Sequence, residues 1–593
     1  MTGIVGGTVD QTQLREMVGE LEREPWYESE RFEAGAYGLG LQHHGEKDPL
    51  GYTFWSAGRT AGVIDGPISN LNALGWDTPE LFERLLRSPD ATLAAVDGPF
   101  TIACVDAEDD RILLATDKIG CRTPFYTTDG GFAFASGLGP LLSVIDDPSV
   151  DTQGVSDLLL MGNMWSDTTL LAEAKSVHPA TVIEYRDGEL SERRYWKPDY
   201  TPAEPTPAYR YELTQAFQRT VDRVASTMDG DVGLWLSGGL DSRATANELA
   251  RADADGAFDS LWTYTYDANP GGGINPRLAD ETADALGVPN ETVPLTVEEF
   301  LPVLEKAVTA SDGMVKWNTL MNLSAVFNVD READVFLEGH EGALVGHHLC
   351  RHHVAGASSL VGSMYDSEAV LSAETVEDVL AAPVDPLGSF RKEARRIDEP
   401  TVAEGVVDAH FQNYYARLAH ASNPVPRSQA GTRVPYADGE FLSHVARLPV
   451  SWRMGALPFS DGDLIFGVVE PKIKLIRALN DDLAAIPYER SRLKPARPYP
   501  LHVAGFYAAT ALSQLLSKPT YGGGPGTVSA WLERSDEFRG RLADLLDSVG
   551  ERSFLDADAV ATYRAQLDTP READTNAISA LTTLEIWLQE HLD

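Results

Sequence analysis

The residues with the strongest chemical signal form one short loop, with the sequence Ser-Gly-Gly-Leu-Asp-Ser at positions 237–242, called the SGGLDS loop below. Its glycines allow a sharp turn and a close approach of the backbone to a ligand, and its serines offer hydroxyl groups. An apolar run precedes it and an Ala-rich stretch that favours a helix follows it. The first N–H groups of a helix attract anions. We therefore expect a pyrophosphate site formed by Leu236, Ser237, Gly238, Gly239, Leu240, Asp241 and Ser242.

Asp241 gives this loop a negative charge of its own. A carboxylate that faces a bound pyrophosphate repels it unless a cation lies between the two groups. Mg²⁺ prefers carboxylate and phosphate oxygens as ligands, so the loop predicts that Asp241 binds Mg²⁺. The alternative is that these six residues supply only the turn between a strand and a helix.

The elements that must position the loop alternate between strand and helix. Residues 231–236 and 260–266 are rich in β-forming types, and a helix at about residues 276–286 separates the second run from a strand near residues 291–295. This order predicts a doubly wound parallel sheet, which binds its ligand at the carboxyl ends of the strands. Tyr266 ends the second strand, so we expect it near the ligand.

A further apolar run, residues 334–337, leads into a glycine-rich turn. As another strand of the same sheet it would place Glu338 and Gly339 at the nucleotide edge. The histidines that follow invite a zinc interpretation, because imidazole is a common zinc ligand. Without cysteine or a regular spacing the sequence favours polar loop histidines instead, at His340, His347, His348, His352 and His353.

The first 195 residues have a different pattern, in which short apolar runs alternate with Gly, Asp and Asn turns. This pattern is typical of a layered antiparallel-sheet protein. Residues 196–208 are rich in proline and predict a linker. We therefore predict one domain at residues 1–195 and a second at residues 209–593, the latter an α/β domain whose C-terminal part is helical.

The SGGLDS loop resembles the pyrophosphate loop of the ATP pyrophosphatases, in the subclass of the asparagine synthetases. Segments 98–100, 117–120 and 134–136 resemble, in order and spacing, the glutaminase domain of that family. The resemblance implies an Ntn-hydrolase-like domain followed by an ATP-pyrophosphatase domain. It also implies an amide-forming ligase that uses ATP and Mg²⁺, passes through an acyl-adenylate and releases AMP and pyrophosphate.

The resemblance makes aspartate the default carboxylate, with ammonia or another amine as the nitrogen donor, but relatives that join other carboxylates and amines stay open. The rival hypothesis is a non-catalytic nucleotide-binding protein. It arises because the family's metal-binding Asp-Glu pair reads Leu344-Val345 or Ala343-Leu344 in this chain, depending on register. Gly431 likewise replaces the Glu of the family's Glu-x-Arg-x-Pro-Phe-x-Asp segment. Basic candidates for steadying an adenylate are Lys472, Lys474 and Lys494, and of these Lys494 is the predicted catalytic residue.

The N-terminal residues depart from the family's glutaminase chemistry. The family's second residue is a Cys that attacks glutamine with its own α-amino group as base, whereas this chain has Thr2, a weaker nucleophile. The family's Asn-Gly oxyanion pair reads Asp65-Gly66, and a carboxylate there opposes a developing oxyanion. Asp77 lies in a segment that resembles the glutamine site. We expect a domain that does not hydrolyse glutamine, the alternative being Thr2 as an N-terminal nucleophile.

Composition limits the partners of this 593-residue chain. Its formal net charge of −42 is spread along the sequence and Arg greatly outnumbers Lys, which is typical of a halophile's surface. An acidic protein that binds a basic partner is the alternative, and such a surface disfavours nucleic acid. The sequence shows no apolar run of membrane-spanning length and no secretory signal, and its three cysteines suit a reducing cytoplasm. A homodimer is compatible with these features.

Overall fold

The computed structural model describes residues 2–267, 274–337, 345–457, 460, 464–515, 525–570 and 573–593. Its N-terminal part is built on two antiparallel sheets, and the part that follows is built on a parallel sheet with helices around it. The strands of the N-terminal part are β1 (Gly3–Gly7), β2 (Glu28–Ala34), β3 (Tyr37–His43), β4 (Tyr52–Ala57), β5 (Thr60–Asp65), β6 (Thr101–Asp106), β7 (Arg111–Thr116), β8 (Phe125–Thr127), β9 (Ala133–Ala135), β10 (Ala174–Ser176), β11 (Thr181–Arg186) and β12 (Glu189–Arg194).

The first sheet has the strand order β10-β8-β9-β1-β3-β2 and the second the order β12-β11-β7-β6-β5-β4. Neighbouring strands pair antiparallel, for example Ile4 opposite Leu41 between β1 and β3. The helices of this part are α1 (Gln11–Leu21), α2 (Leu71–Leu74), α3 (Thr78–Arg87), α4 (Pro89–Ala95) and α5 (Thr152–Met161).

The two sheets pack face to face, and the alternation of side chains along each strand decides which residues lie between them. Ile4 of the first sheet and Val63 of the second share one buried cluster. The next residues in sequence point away from it: Val5 packs with α1 and Ile64 packs with Phe82 of α3. Helices therefore cover both outer faces, and the predicted layered antiparallel fold is confirmed.

The second part contains β13 (Asp231–Trp235), β14 (Ser260–Asp267), β15 (Asn290–Pro294), β16 (Val335–Leu337) and β17 (Gly431–Arg433). Their order is β15-β14-β13-β16-β17, and the paired strands run parallel. The predicted doubly wound sheet is confirmed. Because β14 and β15 extend it to one side of β13 and β16 and β17 to the other, the winding changes direction at β13.

Helices supply most of the rest of the described chain, and none of the described helices has both the length and the apolar character of a membrane span. They are α6 (Pro207–Ala225), α7 (Asp241–Ala254), α8 (Ile274–Leu286), α9 (Val297–Phe300), α10 (Leu304–Ala310), α11 (Trp317–Leu320), α12 (Arg351–Ala355), α13 (Leu360–Glu368), α14 (Ala373–Val379), α15 (Gly388–Arg396), α16 (Val402–Tyr414), α17 (Pro424–Arg427), α18 (Gly439–Ala446), α19 (Glu470–Leu479), α20 (Asp481–Ala484), α21 (Tyr499–Leu515), α22 (Pro525–Arg534), α23 (Asp536–Val549), α24 (Ala557–Gln566) and α25 (Thr575–His591).

The two parts of the chain share one hydrophobic cluster. It includes Leu158 of α5, Trp317 of α11 and Trp587 of α25, all almost completely buried. The indole N–H of Trp317 donates a hydrogen bond to Oγ1 of Thr582 at 2.8 Å, which satisfies a polar group inside this cluster. Helix α25 therefore packs against the N-terminal part of the chain as well as against other helices of the second part.

Candidate active site

The SGGLDS loop lies at the carboxyl end of β13, the central strand, and leads directly into α7. A buried strand forms before it because residues 232–234 are apolar or small, and the run of alanines after residue 243 favours the helix. In doubly wound sheets, ligands bind where the winding changes direction, which is the position of this loop.

Hydrogen bonds within the loop hold its two serines together. Oγ of Ser237 lies 2.9 Å from Oγ of Ser242, which also accepts a hydrogen bond from the backbone N–H of Ser237 at 3.0 Å. The N–H of Gly239 donates to Oγ of Ser237 at 3.2 Å, and that of Gly238 donates to Oδ1 of Asn275 at 2.7 Å. The turn is therefore shaped by its own side chains, with hydroxyl groups at its centre.

Lys472, on α19, brings an ammonium group to the loop. Its Nζ lies 2.6 Å from Oδ2 of Asp241 and 3.1 Å from Nδ1 of His347. The lysine side chain is 3% exposed, and burial lowers its pKa although the Asp241 carboxylate opposes that shift. A cation in so dry a site interacts strongly with an anion. The other lysine candidates differ: Lys494 is exposed, and Lys474 pairs with Glu470 along its own helix.

Asp241, the expected Mg²⁺ ligand, has a carboxylate that is 29% exposed. Mg²⁺ is commonly held by one or two protein carboxylates together with substrate phosphates, so this donor fits the ion. Val345, one of the two registers for the family's acidic pair, packs into a hydrophobic cluster and offers no ligand. Leu344 lies outside the described residues, as do Glu338 and Gly339, which we expected at the nucleotide edge.

Two residues that were not predicted from the sequence, Arg243 and Glu489, connect the loop to the segment at residues 486–489. The guanidinium of Arg243, on α7, donates hydrogen bonds at 3.0 Å to the carbonyl oxygens of residues 486 and 487. The N–H of Glu489 then donates to the carbonyl oxygen of Gly238 at 3.3 Å. Burial raises the pKa of Glu489, and burial with the nearby Glu489 raises the pKa of Tyr266 to about 12. Tyr266 is thus close to a residue that touches the loop.

One of these residues left a signal in the sequence and the other did not. Arg243 directly follows the SGGLDS loop in sequence, so its position near the loop was predictable, whereas its complete burial was not. Glu489 lies in an irregular segment between α20 and α21, where no periodicity marks which face is buried.

Thr2 lies directly before β1 and is 3% exposed. The N–H of Ile4 donates a hydrogen bond to Oγ of Ser136 at 2.9 Å. A Cβ atom on Gly3 would lie 2.3 Å from Cβ of Ser136, so this close approach requires glycine after Thr2. Thr2 is therefore buried, and the two residues after it pack closely against Ser136, which follows β9.

Asp65 has a partner that the sequence did not reveal. Its Oδ1 lies 2.6 Å from Nη1 of Arg122, and both side chains are almost fully buried. Arg122 offsets the charge of Asp65, so this carboxylate would oppose a developing oxyanion less than an unpaired one, and the expectation for Asp65 stays a prediction. Gly66 follows with φ +94°, and a Cβ at this position would lie 2.0 Å from the carbonyl oxygen of Pro99. Asp77 is exposed and caps α3, accepting a hydrogen bond from the N–H of Glu80 at 2.9 Å.

Two family models match this chain. A glutamine amidotransferase domain matches residues 76–196, and asparagine synthase matches residues 212–401. Together they cover just over half of the chain. The chain belongs to the asparagine synthetase family.

Similar curated proteins carry the same family name. Asparagine synthetase (glutamine-hydrolysing) 1 of Bacillus subtilis strain 168 is 26% identical over 282 residues, 44% of this chain and 42% of that protein. Asparagine synthetase 3 of the same organism is 24% identical over 252 residues, 40% of this chain and 41% of that protein. Asparagine synthetase 2 of Oryza sativa subsp. japonica is 25% identical over 225 residues, 36% of this chain and 32% of that protein. The chain therefore matches less than half of the length of these relatives.

Two solved structures are similar at low TM-scores. One is the glutamine phosphoribosylpyrophosphate amidotransferase from B. subtilis complexed with ADP and GMP, at 12% identity and a TM-score of 0.24, covering 49% of this chain and 65% of that chain. The other is a structure of the allosteric regulatory enzyme of purine biosynthesis, at 9% identity and 0.25, covering 50% and 90%. Neither likeness bears on the chemistry of this asparagine synthetase family member.

Gly431, which replaces the Glu expected from the asparagine synthetase family, is explained by a carboxylate from the N-terminal part. A Cβ at Gly431 would lie 2.1 Å from Oδ2 of Asp48. The two oxygens of Asp48 pair with Arg433 at 2.6 and 2.9 Å, and neither side chain is more than 4% exposed. Asp48 therefore occupies the space beside β17 that a larger residue at position 431 would need.

Proposed function

We propose that this chain is an ATP-dependent amide-forming ligase that adenylates a carboxylate, with aspartate as the first candidate, and transfers the acyl group to an amine. The observation that carries the proposal is the buried ammonium of Lys472, 2.6 Å from Asp241 at the SGGLDS loop. The names of the relatives, asparagine synthetases, support the choice of aspartate.

In the first step an oxygen of the carboxylate forms a bond to the α-phosphorus of ATP, and the bond from that phosphorus to pyrophosphate breaks. Negative charge then grows on the departing oxygen, and fixed cations and hydrogen-bond donors stabilise it. The serine hydroxyls of the SGGLDS loop and the first N–H groups of α7 receive the pyrophosphate, and Lys472 adds a positive charge. Mg²⁺, held by Asp241 and by phosphate oxygens, would offset part of the charge of ATP and of pyrophosphate.

In the second step an uncharged amine attacks the acyl carbon, the bond from that carbon to AMP breaks, and the nitrogen loses a proton. His347 acts as a positioning residue for Lys472. Burial, followed by the nearby Lys472, lowers the pKa of His347 well below its usual value, so the ring stays neutral. Its Nδ1 then accepts a hydrogen bond from Lys472 and holds the ammonium beside Asp241.

In this proposal the amine is ammonia or another free amine, and glutamine is not hydrolysed. The support is chemical: a Thr2 hydroxyl is a weaker nucleophile than the family's thiolate. The charge of Asp65 contributes less to this inference than that of an unpaired carboxylate would, because Arg122 offsets it.

The test is an assay of AMP and pyrophosphate formation with ATP, Mg²⁺, aspartate and ammonium in molar KCl. Lys472→Gln removes the ammonium while keeping a polar side chain, and we expect the rate to fall about 100-fold or more. Lys494→Gln changes an exposed lysine in the same way and should keep the parent rate. An unchanged rate in Lys472→Gln would refute the assignment. ATP binding without pyrophosphate release for any candidate acid would instead support a non-catalytic nucleotide-binding protein.

A further inference from the structure

Three side chains that have no role in the proposed function lie close together in the second part of the chain. His348 lies in the segment between β16 and α12, Glu368 ends α13, and His410 lies on α16. One nitrogen from each histidine and one carboxylate oxygen lie within 4.8 Å of one another. Helices α13 and α16 pack together, and the cluster lies where they meet the segment that follows β16.

The cluster is largely removed from solvent and already partly assembled. Nε2 of His348 lies 3.1 and 3.3 Å from the two carboxylate oxygens of Glu368. The Glu368 side chain is 5% exposed and the His348 side chain 27% exposed. Ser367 also donates a hydrogen bond to Glu368 at 2.8 Å, which fixes the direction of the carboxylate. Solvent therefore reaches the group mainly beside His348.

His410 supplies the observation that points to a ligand. Its Nε2 lies 3.1 Å from the hydroxyl oxygen of Tyr415, at the start of a π-helical turn that continues α16. Its Nδ1 is buried and, among the described residues, has no hydrogen-bond partner. A buried nitrogen of this kind is costly unless something binds it. If Nε2 donates to Tyr415, Nδ1 carries a lone pair, which is the form that coordinates a cation.

The charges around His410 leave room for a cation. Arg453 is a fixed positive charge that opposes a second cation, whereas Glu368 is a fixed negative charge that attracts one. Glu368 contacts His348 directly, at 3.1 Å from Nε2.

We infer that His348, Glu368 and His410 bind a divalent transition-metal ion of the Zn²⁺ class. Zn²⁺ in proteins accepts two histidines and one glutamate as a ligand set, with a further position for water. Bonds of about 2.1 Å place tetrahedral ligand atoms about 3.3 Å apart, so His348 and Glu368 are already at that separation. His410 has to approach by no more than about 1.5 Å, within the reach of a side-chain adjustment.

The ligand types separate this ion from Mg²⁺ and Ca²⁺. Those hard cations prefer sites made wholly of oxygen ligands, whereas imidazole selects Zn²⁺ and its transition-metal neighbours. Each ligand atom must present a lone pair, so Nε2 of His348 coordinates the ion in the tautomer that carries the ring proton on Nδ1. The site is thus distinct from the proposed Mg²⁺ position at Asp241.

The site has a consequence for Lys472, and this consequence rests on the proposed function, whereas metal binding does not. His347 is the residue before His348, and its Nδ1 accepts the hydrogen bond from Lys472 at 3.1 Å. An ion on His348 would fasten this segment to α13 and α16. It would thereby fix His347, and through it the ammonium beside Asp241.

The experiment is a Zn²⁺ titration of the full chain, stripped with a chelator and kept at high KCl, with no nucleotide present. We expect one tightly bound ion per chain and an affinity loss of at least about tenfold in Glu368→Gln and in His348→Gln. His352→Gln is the matched control, because His352 is an exposed histidine near the cluster and should keep the parent affinity. The same titration with Mg²⁺ should show no competition for the site.

A parent protein that binds no Zn²⁺, or a Glu368→Gln variant with the parent affinity, would overturn the inference. A loss confined to His352→Gln would assign the ion to the exposed surface and would also overturn it. Should a variant fail to fold, the X-ray absorption spectrum of the zinc-loaded parent decides: two imidazole nitrogens and a carboxylate oxygen support the site, and any other set rejects it. Because no ATP is used, a negative result here leaves the ligase proposal standing.

Discussion

The SGGLDS loop lies in the second part of the chain, and Thr2 with strand β1 lies in the N-terminal part. The two regions differ in how their charged side chains are arranged. At the loop, charged side chains from separate elements converge: Asp241 from α7 and Lys472 from α19 are 2.6 Å apart. At the N-terminus the sheets, helices and core are complete, while the carboxylate of Asp65 is bound by Arg122. A packed core depends on the apolar pattern and not on a nucleophile, so this fold forms whether or not Thr2 is active.

The largest expected effect is a loss of AMP formation when Asp241 of the SGGLDS loop is changed. Asp241→Asn removes the proposed Mg²⁺ ligand and the partner of Lys472, and we expect AMP formation to fall about 100-fold or more with the fold retained. Circular dichroism checks the fold and the AMP assay checks the rate. Asp255→Asn makes the same change at the exposed C-terminal end of α7 and should be silent. An Asp241→Asn protein that makes AMP at the parent rate would remove the metal assignment.

The next effect measures how firmly the two halves are joined. Asp48→Asn leaves Arg433 buried without a counter-ion, and breaking a buried pair costs about 3–5 kcal/mol of unfolding free energy. Asp90→Asn breaks the exposed pair with Arg193 and should cost less than about 1 kcal/mol. Denaturant unfolding of both variants gives the two values. Equal costs for the two variants would mean that the Asp48 pair is not a firm junction.

The same pair predicts a pH dependence. Burial raises the pKa of Asp48, but Arg433 outweighs it, and the pKa lies below its ordinary value. A depressed folded-state pKa means that the stabilisation is present above the unfolded-state pKa of about 3.9 and is lost as the pH falls towards the folded-state value. Unfolding curves between pH 3 and 7 should therefore show the cost of Asp48→Asn shrinking only at the acid end. A cost that stays constant down to the lowest pH would contradict this assignment.

A smaller effect concerns the whole surface. Repulsion among the dispersed carboxylates of a −42 chain acts over about 30 Å at 0.01 M salt and about 3 Å at 1 M. We expect the melting temperature and the affinity for ATP both to rise from low to molar KCl. Melting curves and ATP titrations at three KCl concentrations make the measurement. A melting temperature that is flat or falls would favour a basic partner over adaptation to salt.

The smallest effect is expected at Thr2, in the N-terminal part of the chain. Thr2→Ala should leave the ammonia-dependent rate unchanged, and glutamate release from glutamine should be negligible in parent and variant alike. The measurement is glutamate formation beside AMP formation. Strong glutamate release that disappears in Thr2→Ala would make Thr2 a working nucleophile and both halves of the molecule active.

The sequence predicted the parts of this fold that follow from local pattern. Short apolar runs between Gly, Asp and Asn turns predicted the layered antiparallel fold. The alternation of strands and helices around the SGGLDS loop predicted the parallel sheet with the loop at its carboxyl edge. Side-chain partners distant in sequence were not predictable in this way. Lys494 was the lysine predicted to be catalytic, whereas the structure places Lys472 of α19 beside Asp241. The sequence also did not predict that Arg122 pairs with Asp65. Such contacts depend on how the elements pack, which no local period encodes.

The cluster shared by α5 and α25 has a consequence for how the chain is made. Ribosomes add about 5–20 residues per second, so tens of seconds separate the emergence of these two helices. During that time the apolar face of α5, with Leu158 and Leu159, has no α25 to cover it. The N-terminal part is therefore open to chaperones, and to aggregation, until α25 has been translated.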